Sequence, residues 1–157
     1  MLVQLLTHTP NPEQVVAAAA RLCYSDSSIE QLLEQAPGQA AKLLQKILEL
    51  GHFSVLEHAS FTFGIEGVSR ACSHQLVRHR LASFSQQSQR YVAHEQPFET
   101  IIPESIREHQ LLQERLDDHM QKTHELYRDL LAAGVAAEDA RFVLPNAAST
   151  KLVMTMN

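Results

Sequence analysis

From Glu104 onward the chain carries a helical pattern for about thirty residues, with Leu112, Leu116, Met120, Tyr127 and Leu131 near the spacing of one buried face and Gly134 ending it. So long a helix in a chain of 157 residues calls for packing against more than its own domain, such as a neighbouring subunit. The other segments are short. Met1 to Leu6 is apolar and reads as a strand. Asn11-Pro12-Glu13-Gln14 reads as a helix start, with Asn11 as cap, Pro12 at the first helical position and Gln14 completing a capping box. That helix is expected to run to about Tyr24, turning Val15, Val16, Ala19 and Leu22 to a core. A second covers Gln39 to Leu50, with Leu43, Leu44, Ile47 and Leu48 on one face and Gly51 as its stop.

Phe61-Thr62-Phe63-Gly64-Ile65 alternates and is rich in aromatic and β-branched residues, hence a strand. After Gly67, Ser69 is placed to cap a helix running to about His79, with Val68, Cys72 and Leu76 as its buried stripe and Gln75 and Arg78 on a different face. Pro97 and Pro103 bracket a loop. Near the carboxyl end, residues 140–145 and 151–156 look like the start of another element. No repeat, low-complexity segment or dividing linker is visible. The expectation is a single domain over residues 1–157 of α/β (α+β) class: a mixed sheet packed by helices, one of them long.

Composition narrows the partners. With 45% hydrophobic and 20% charged residues the chain is globular, and 13 basic against 18 acidic residues give a net charge of −5, unlike a general polyanion binder. No apolar run reaches the roughly 18 residues of a membrane span. Met1-Leu2-Val3-Gln4-Leu5-Leu6-Thr7 has no basic flank, so no secretory signal is read there. Cys23 and Cys72 stand alone, making neither a metal framework nor a disulfide scaffold, and a reducing cytoplasm is the default.

Against that balance, the stretch between Glu66 and Glu95 holds no acidic residue and no lysine, yet carries Arg70, Arg78, Arg80 and Arg90 with His74, His79 and His94. Cations without internal partners want anions from elsewhere, and the planar guanidinium fork grips phosphate with two hydrogen bonds. Adjacent helical residues point about 100° apart, so Arg78 and Arg80 on a regular helix would touch different phosphates or different subunits. Ser83 to Gln89 adds neutral donors and acceptors suited to a heterocycle's edge. The plainer alternative is a solvated basic loop capping a helix carboxyl end.

A second cluster is Gly51-His52-Phe53-Ser54-Val55-Leu56-Glu57-His58. Neither His52 with His58 nor His74 with His79 has the four-residue spacing that aims two ligands from one helix face, so no metal site is expected. A ligand-facing loop, or a structural hydrogen bond from Glu57, fits better. Ser83, Ser85 and Ser88 lie near His79 in sequence, but no Gly-x-Ser-x-Gly elbow surrounds them, and Ser88 reads as a phosphate or base ligand rather than a nucleophile. Cys72, on the buried stripe, reads as inert. The five glycines are scattered singly, which excludes a Rossmann or P-loop mode of nucleotide binding.

Arg78-His79-Arg80, seven intervening residues and Ser88 resemble the signature of the flavin-dependent thymidylate synthases. The block from Gly51 to His58 resembles that family's Gly-His-x-Ser/Thr-x-x-Glu-His block, Gln75 precedes the signature, Arg90-Tyr91 follows it, and Glu138-Asp139-Ala140-Arg141-Phe142-Val143-Leu144-Pro145 resembles its Ala-Arg-x-x-Leu-Pro block. The resemblance implies FAD as cofactor, NADPH as reductant, and methylation of dUMP to dTMP with methylenetetrahydrofolate as carbon donor. It implies a homotetramer whose sites draw on several subunits. Carried over by position, Gln75, Leu76, Val77, Arg78, Gln86, Gln87, Ser88, Gln89, Arg90 and Arg141 would contact dUMP. His52, Ser54, Arg78, His79, Arg80 and Gln86 would contact FAD.

Two departures bear on activity. Many relatives carry Asn and Glu where this chain has Ser85 and Gln86, and a neutral Gln86 cannot act as a general base. Relatives also continue past the position of Asn157 into a last helix that holds the arginine credited with polarising the uracil. The expectation is therefore a carboxyl-truncated chain with impaired flavin binding and little turnover, in which no catalytic residue is assigned. Two rivals are an inactive assembly partner and a nucleic-acid module using Arg70, Arg78, Arg80 and Arg90 on backbone phosphates. Net charge, the lack of lysine and the scarcity of stacking aromatics (Phe84, Tyr91) count against the latter.

Overall fold

Four strands and seven helices make up the regular structure of a computed structural model, which describes residues 1–38, 40–93 and 97–157. Gln39, expected to open the second helix, and His94, counted in the acid-free stretch, lie outside these. Strands β1 (Leu2–His8), β2 (Phe61–Ser69), β3 (Ser83–Gln86) and β4 (Ser149–Met156) form one antiparallel sheet in the order β1-β2-β4-β3. The register shows the antiparallel sense. Arg70 N–H donates to Ala148 O (3.0 Å) at one end of the β2–β4 pair, and the Thr62 and Thr155 hydroxyls meet at 2.9 Å towards the other.

The segment at the carboxyl end, read from sequence only as the start of another element, is thus an interior strand of the sheet. It alternates as a strand should, with Thr150 and Leu152 buried and Lys151 and Val153 exposed. β2 runs on past Ile65 through Gly67, which sits at φ +70 where a Cβ would lie 3.3 Å from the Cα of Met1.

The chain packs as two compact units. One comprises Gln4–Phe63, Leu81–Ser83 and Met154–Asn157. In it α1 (Pro12–Leu22) packs on α2 (Ile29–Gln35), on α3 (Ala40–Leu50) and on a 3-10 turn at Phe53–His58. Ala17, Ala36 and Ala40 form its tightest core, with Leu43 against them, because small side chains let the helices approach closely. Asn11 does not cap as expected. It adopts a left-handed conformation (φ 47, ψ 56), makes no side-chain cap, and instead its carbonyl accepts from the N–H groups of Gln14 and Val15. The buried face is Val16, Ala17, Ala18 and Ala20, while Leu22 is exposed, since an alanine-rich helix gives little periodic contrast to read. A capping box does exist, one helix later: Ser28 Oγ accepts from Gln31 N–H and Gln31 Oε1 accepts from Ser28 N–H.

The other unit comprises Met1–Val3, Gly64–Arg80 and Phe84–Val153. Ser69 caps α4 (Arg70–Leu76) by accepting from Cys72 N–H at 3.1 Å, as the sequence suggests, but the helix ends at Leu76 rather than His79. Its inward residue is Ser73; of the expected stripe Val68 is buried and Leu76 half-buried, but Cys72 is exposed. The long helical pattern resolves into α5 (Glu104–Arg107) and the 23-residue α6 (Gln110–Ala132), separated where His109 leaves helical geometry (φ −114, ψ 89). α6 buries Met120, His124 and Tyr127. Leu112 is exposed, and the His124 ring meets Phe98 edge-on, with centroids 5.7 Å apart. Gly134 ends α6 at φ +83, and α7 (Ala137–Ala140) leads into a 3-10 turn at Arg141–Val143.

Candidate functional site

Arg70 opens α4 with its guanidinium half-buried, and Nη1 donates to the carbonyl of Gln87 at 3.2 Å. Burial, and after it the nearby charge of Arg141, push its pKa below the ordinary arginine value. Arg141 directs Nε to the backbone carbonyl of Glu138 (3.0 Å), leaving the Glu138 carboxylate to Arg90, whose Nη2 lies 3.2 Å from Oε2. Arg90 also lies over the Tyr91 ring at 5.6 Å. Among the described residues, one carboxylate therefore stands against three guanidinium groups, and it pairs with Arg90 alone. Such a cluster holds an unspent attraction for an anion, and its forks match phosphate or carboxylate oxygens.

Beside it stands Gln86 at the end of β3. Its Nε2 donates to Ser73 Oγ at 2.7 Å and to Thr150 Oγ1 at 3.2 Å, and these two residues are only 0% and 5% exposed. The Ser73 hydroxyl spends its own proton on the carbonyl of Arg70 (2.9 Å), so towards Gln86 its oxygen can only accept. This fixes which way the amide points. Ser88 Oγ accepts from Arg90 N–H at 3.1 Å, and among the described residues no side-chain base is bonded to it. Its proton has no acceptor among the described residues.

The structure therefore joins Gln86 and Gln87 to Arg70 in one set of bonds and Ser88, Arg90 and Arg141 to Glu138 in another, with Arg141 close enough to Arg70 for their charges to repel. Gln89 lies half-buried within the same loop. Gln75 is exposed on the last turn of α4, Leu76 is half-buried and Val77 follows the helix. Arg78 and His79 form a turn through N–H bonds to the carbonyls of Gln75 and Leu76, so Arg78, His79 and Arg80 extend beyond the helix end. Gln75 and Arg78 consequently do not share a helix face, and the 100° restriction on Arg78 and Arg80 does not apply. Among the described residues no carboxylate pairs with any of the three.

His52 and Ser54 belong to the other unit, where they line a cleft of about 710 Å³ with Arg21, Tyr24 and Lys46. No acidic side chain among the described residues lines it. Glu57 and His58 are exposed at the end of the adjacent 3-10 turn. Among the described residues no three His, Cys, Asp or Glu side chains converge on a metal-sized site, and no helix is long and apolar enough to cross a membrane.

Sequence reasoning missed Ser73, Thr150 and the part played by Glu138. A serine on a short helix reads as solvent-facing, and a threonine in a strand carries no chemical flag. Only Glu138 had a visible cue, lying three residues before Arg141 in the motif itself.

Comparison with known proteins gives a consistent result. Residues 4–157 match the family model described as thymidylate synthase complementing protein. The whole chain is 55% identical to 68% of the flavin-dependent thymidylate synthase of Geobacter sulfurreducens. Over 99% of its length it is 46% identical to the enzyme of the same name from Pyrococcus furiosus, covering 65% of that protein. The chain thus spans about two thirds of the length of these relatives. The fold is shared with a UMP/dUMP methylase, PolB of Streptomyces cacaoi, solved with 5-Br dUMP bound: TM-score 0.77, 24% identity, 99% of this chain and 72% of that one.

Proposed function

The chain belongs to the flavin-dependent thymidylate synthase family, and we propose that it carries that family's reaction, the reductive methylation of dUMP to dTMP. Methylenetetrahydrofolate is the carbon donor in this reading and NADPH the reductant. The observation that carries it is the group of three arginines, Arg70, Arg90 and Arg141, of which, among the described residues, only Arg90 has a carboxylate partner, that of Glu138.

The roles of Arg90, Arg141, Ser88 and Gln86 draw on their bonding, and those of the other residues on their positions in the chain. Arg90 and Arg141 grip the nucleotide phosphate, and the Ser88 hydroxyl donates to one of its oxygens. Gln87 and Gln89 shape the loop around it, while Gln75, Leu76, Val77 and Arg78 contribute from the end of α4. The neutral Gln86 binds and orients without moving a proton.

Whether this chain suits FAD can be judged from its own residues. A dinucleotide brings two phosphates and flat rings, and the cleft at His52 and Ser54 offers Arg21, Lys46 and Tyr24 with no acidic lining among the described residues. The residues fit. His52, Ser54, Arg78, His79, Arg80 and Gln86 would hold the cofactor. When bound, FAD supplies the hydride chemistry that no amino-acid side chain can.

A homotetramer is supported by apolar surface left open: Leu2, Val3, Leu5 and Leu6 on the edge strand β1, and Leu111, Leu112 and Leu126 on α6. Two exposed thiols, Cys23 and Cys72, suit a reducing cytoplasm. The test is dTMP formation from dUMP on supplying FAD, NADPH and methylenetetrahydrofolate. Product that disappears with Arg90→Ala is expected, and product formation indifferent to Arg90 contradicts the reading.

A further inference from the structure

Both protons of the Gln86 amide are spent within the chain. One goes to Ser73 Oγ, which can only accept because its own proton is committed to the Arg70 carbonyl; the other goes to Thr150 Oγ1. Gln86 Oε1 has no partner among the described residues, and the residue is half-buried rather than enclosed. This oxygen is the part of the amide left for a ligand. A free glutamine offers a ligand a donor or an acceptor according to which way the amide turns. Gln86 has lost that choice.

We propose that the Ser73–Thr150 pair makes Gln86 a one-way hydrogen-bond acceptor that selects ligands by an imide N–H. Ser73 and Thr150 are positioning residues here, and Gln86 is the group that touches the ligand. The inference deepens the function proposed above and rests on it. An imide N–H occurs in two of the expected ligands, the N3–H of uracil and the N3–H of the isoalloxazine ring. Cytosine is the informative contrast, because its N3 is an acceptor. Setting it against a fixed acceptor leaves both atoms unpaired and repelling one another.

The experiment measures two affinity ratios, dUMP against dCMP and FAD against N3-methyl-FAD, in the unaltered chain and in Ser73→Ala, Thr150→Val and the double variant. Thermal melts run alongside, and each single variant lifts one of the two restraints should the double one fail to fold. The unaltered chain is expected to favour the N–H ligand by about tenfold or more, the scale of a polar group left unpaired on binding. Freeing the amide should shrink that ratio at least about fivefold, chiefly by tightening the disfavoured ligand. A merely structural role would weaken both members of a pair alike. Movement of the dUMP/dCMP ratio identifies the uracil as the source, and movement of the flavin ratio identifies the isoalloxazine. If both ratios stay put in folded variants, the proposal is overturned while nucleotide binding stands. If the unaltered chain binds neither dUMP nor FAD, the functional reading falls and this proposal with it.

Discussion

Arg90 Nη2 and Glu138 Oε2 lie 3.2 Å apart across 48 residues of sequence, with their side chains 52% and 53% exposed. The pair joins the ligand-binding loop to the segment that carries Arg141. A half-exposed ion pair contributes little to folding, and its carboxylate occupies the fork that a phosphate would use. Glu138→Gln is therefore expected to change stability by less than about 1 kcal/mol. The same change should tighten dUMP binding several-fold, because a competitor is removed. Isothermal titration together with a urea melt checks both, and weaker dUMP binding would show that Glu138 supports the site instead.

The lowered pKa of Arg70 sets a second expectation. A base whose folded-state pKa lies below its unfolded value carries a folding penalty at every pH below the folded pKa, relieved only as pH rises through it. Arginine stays charged across about pH 6–9, so within that range the relief must come from an anion rather than from titration. Inorganic phosphate should raise the melting temperature more than chloride of equal ionic strength, and Arg70→Met should lose most of that difference. An equal response of the two proteins would detach Arg70 from the anion site.

Gln86→Leu leaves the Thr150 hydroxyl without its donor and Ser73 Oγ with an unused lone pair, both buried. A cost of about 1–3 kcal/mol follows from such orphaned groups, read as a lower urea midpoint at unchanged slope. A variant as stable as its parent would mean that water or a neighbouring group replaces the amide.

Gly67 and Gly134 both sit at positive φ, but a Cβ at Gly67 would stand 3.3 Å from the Met1 backbone, whereas nothing lies within 4 Å of a Cβ at Gly134. Gly134→Ala should cost about 1 kcal/mol, the left-handed penalty alone. Gly67→Ala should cost more, since the start of β1 must also give way. Equal losses in chemical denaturation would assign both effects to backbone conformation and none to the contact.

Much of this arrangement was legible in the residues themselves. Ser69 as a helix cap, Gly51 and Gly134 as helix ends and the strand at Phe61 followed from local chemistry that tertiary packing did not overrule. The acid-free stretch pointed to Arg70 and Arg90 because segregated charge survives any folding of the chain. What escaped was set by contacts distant in sequence. Ser73 is buried because Gln86, 13 residues on, and Thr150 lie beside it, and no periodicity encodes that. The break at His109 escaped because polar, helix-favouring residues run on both sides of it. β4 escaped as well, because a strand flanked on both sides needs its neighbours to be recognised.

The most direct measurement is an equilibrium titration of the FAD-supplemented chain with dUMP, compared with the Arg90→Ala variant. The account predicts saturable binding at one site per chain, weakened by about tenfold or more when the guanidinium is removed, as for a charge-assisted bond. Failure to bind dUMP, or identical affinity in the two proteins, would contradict it.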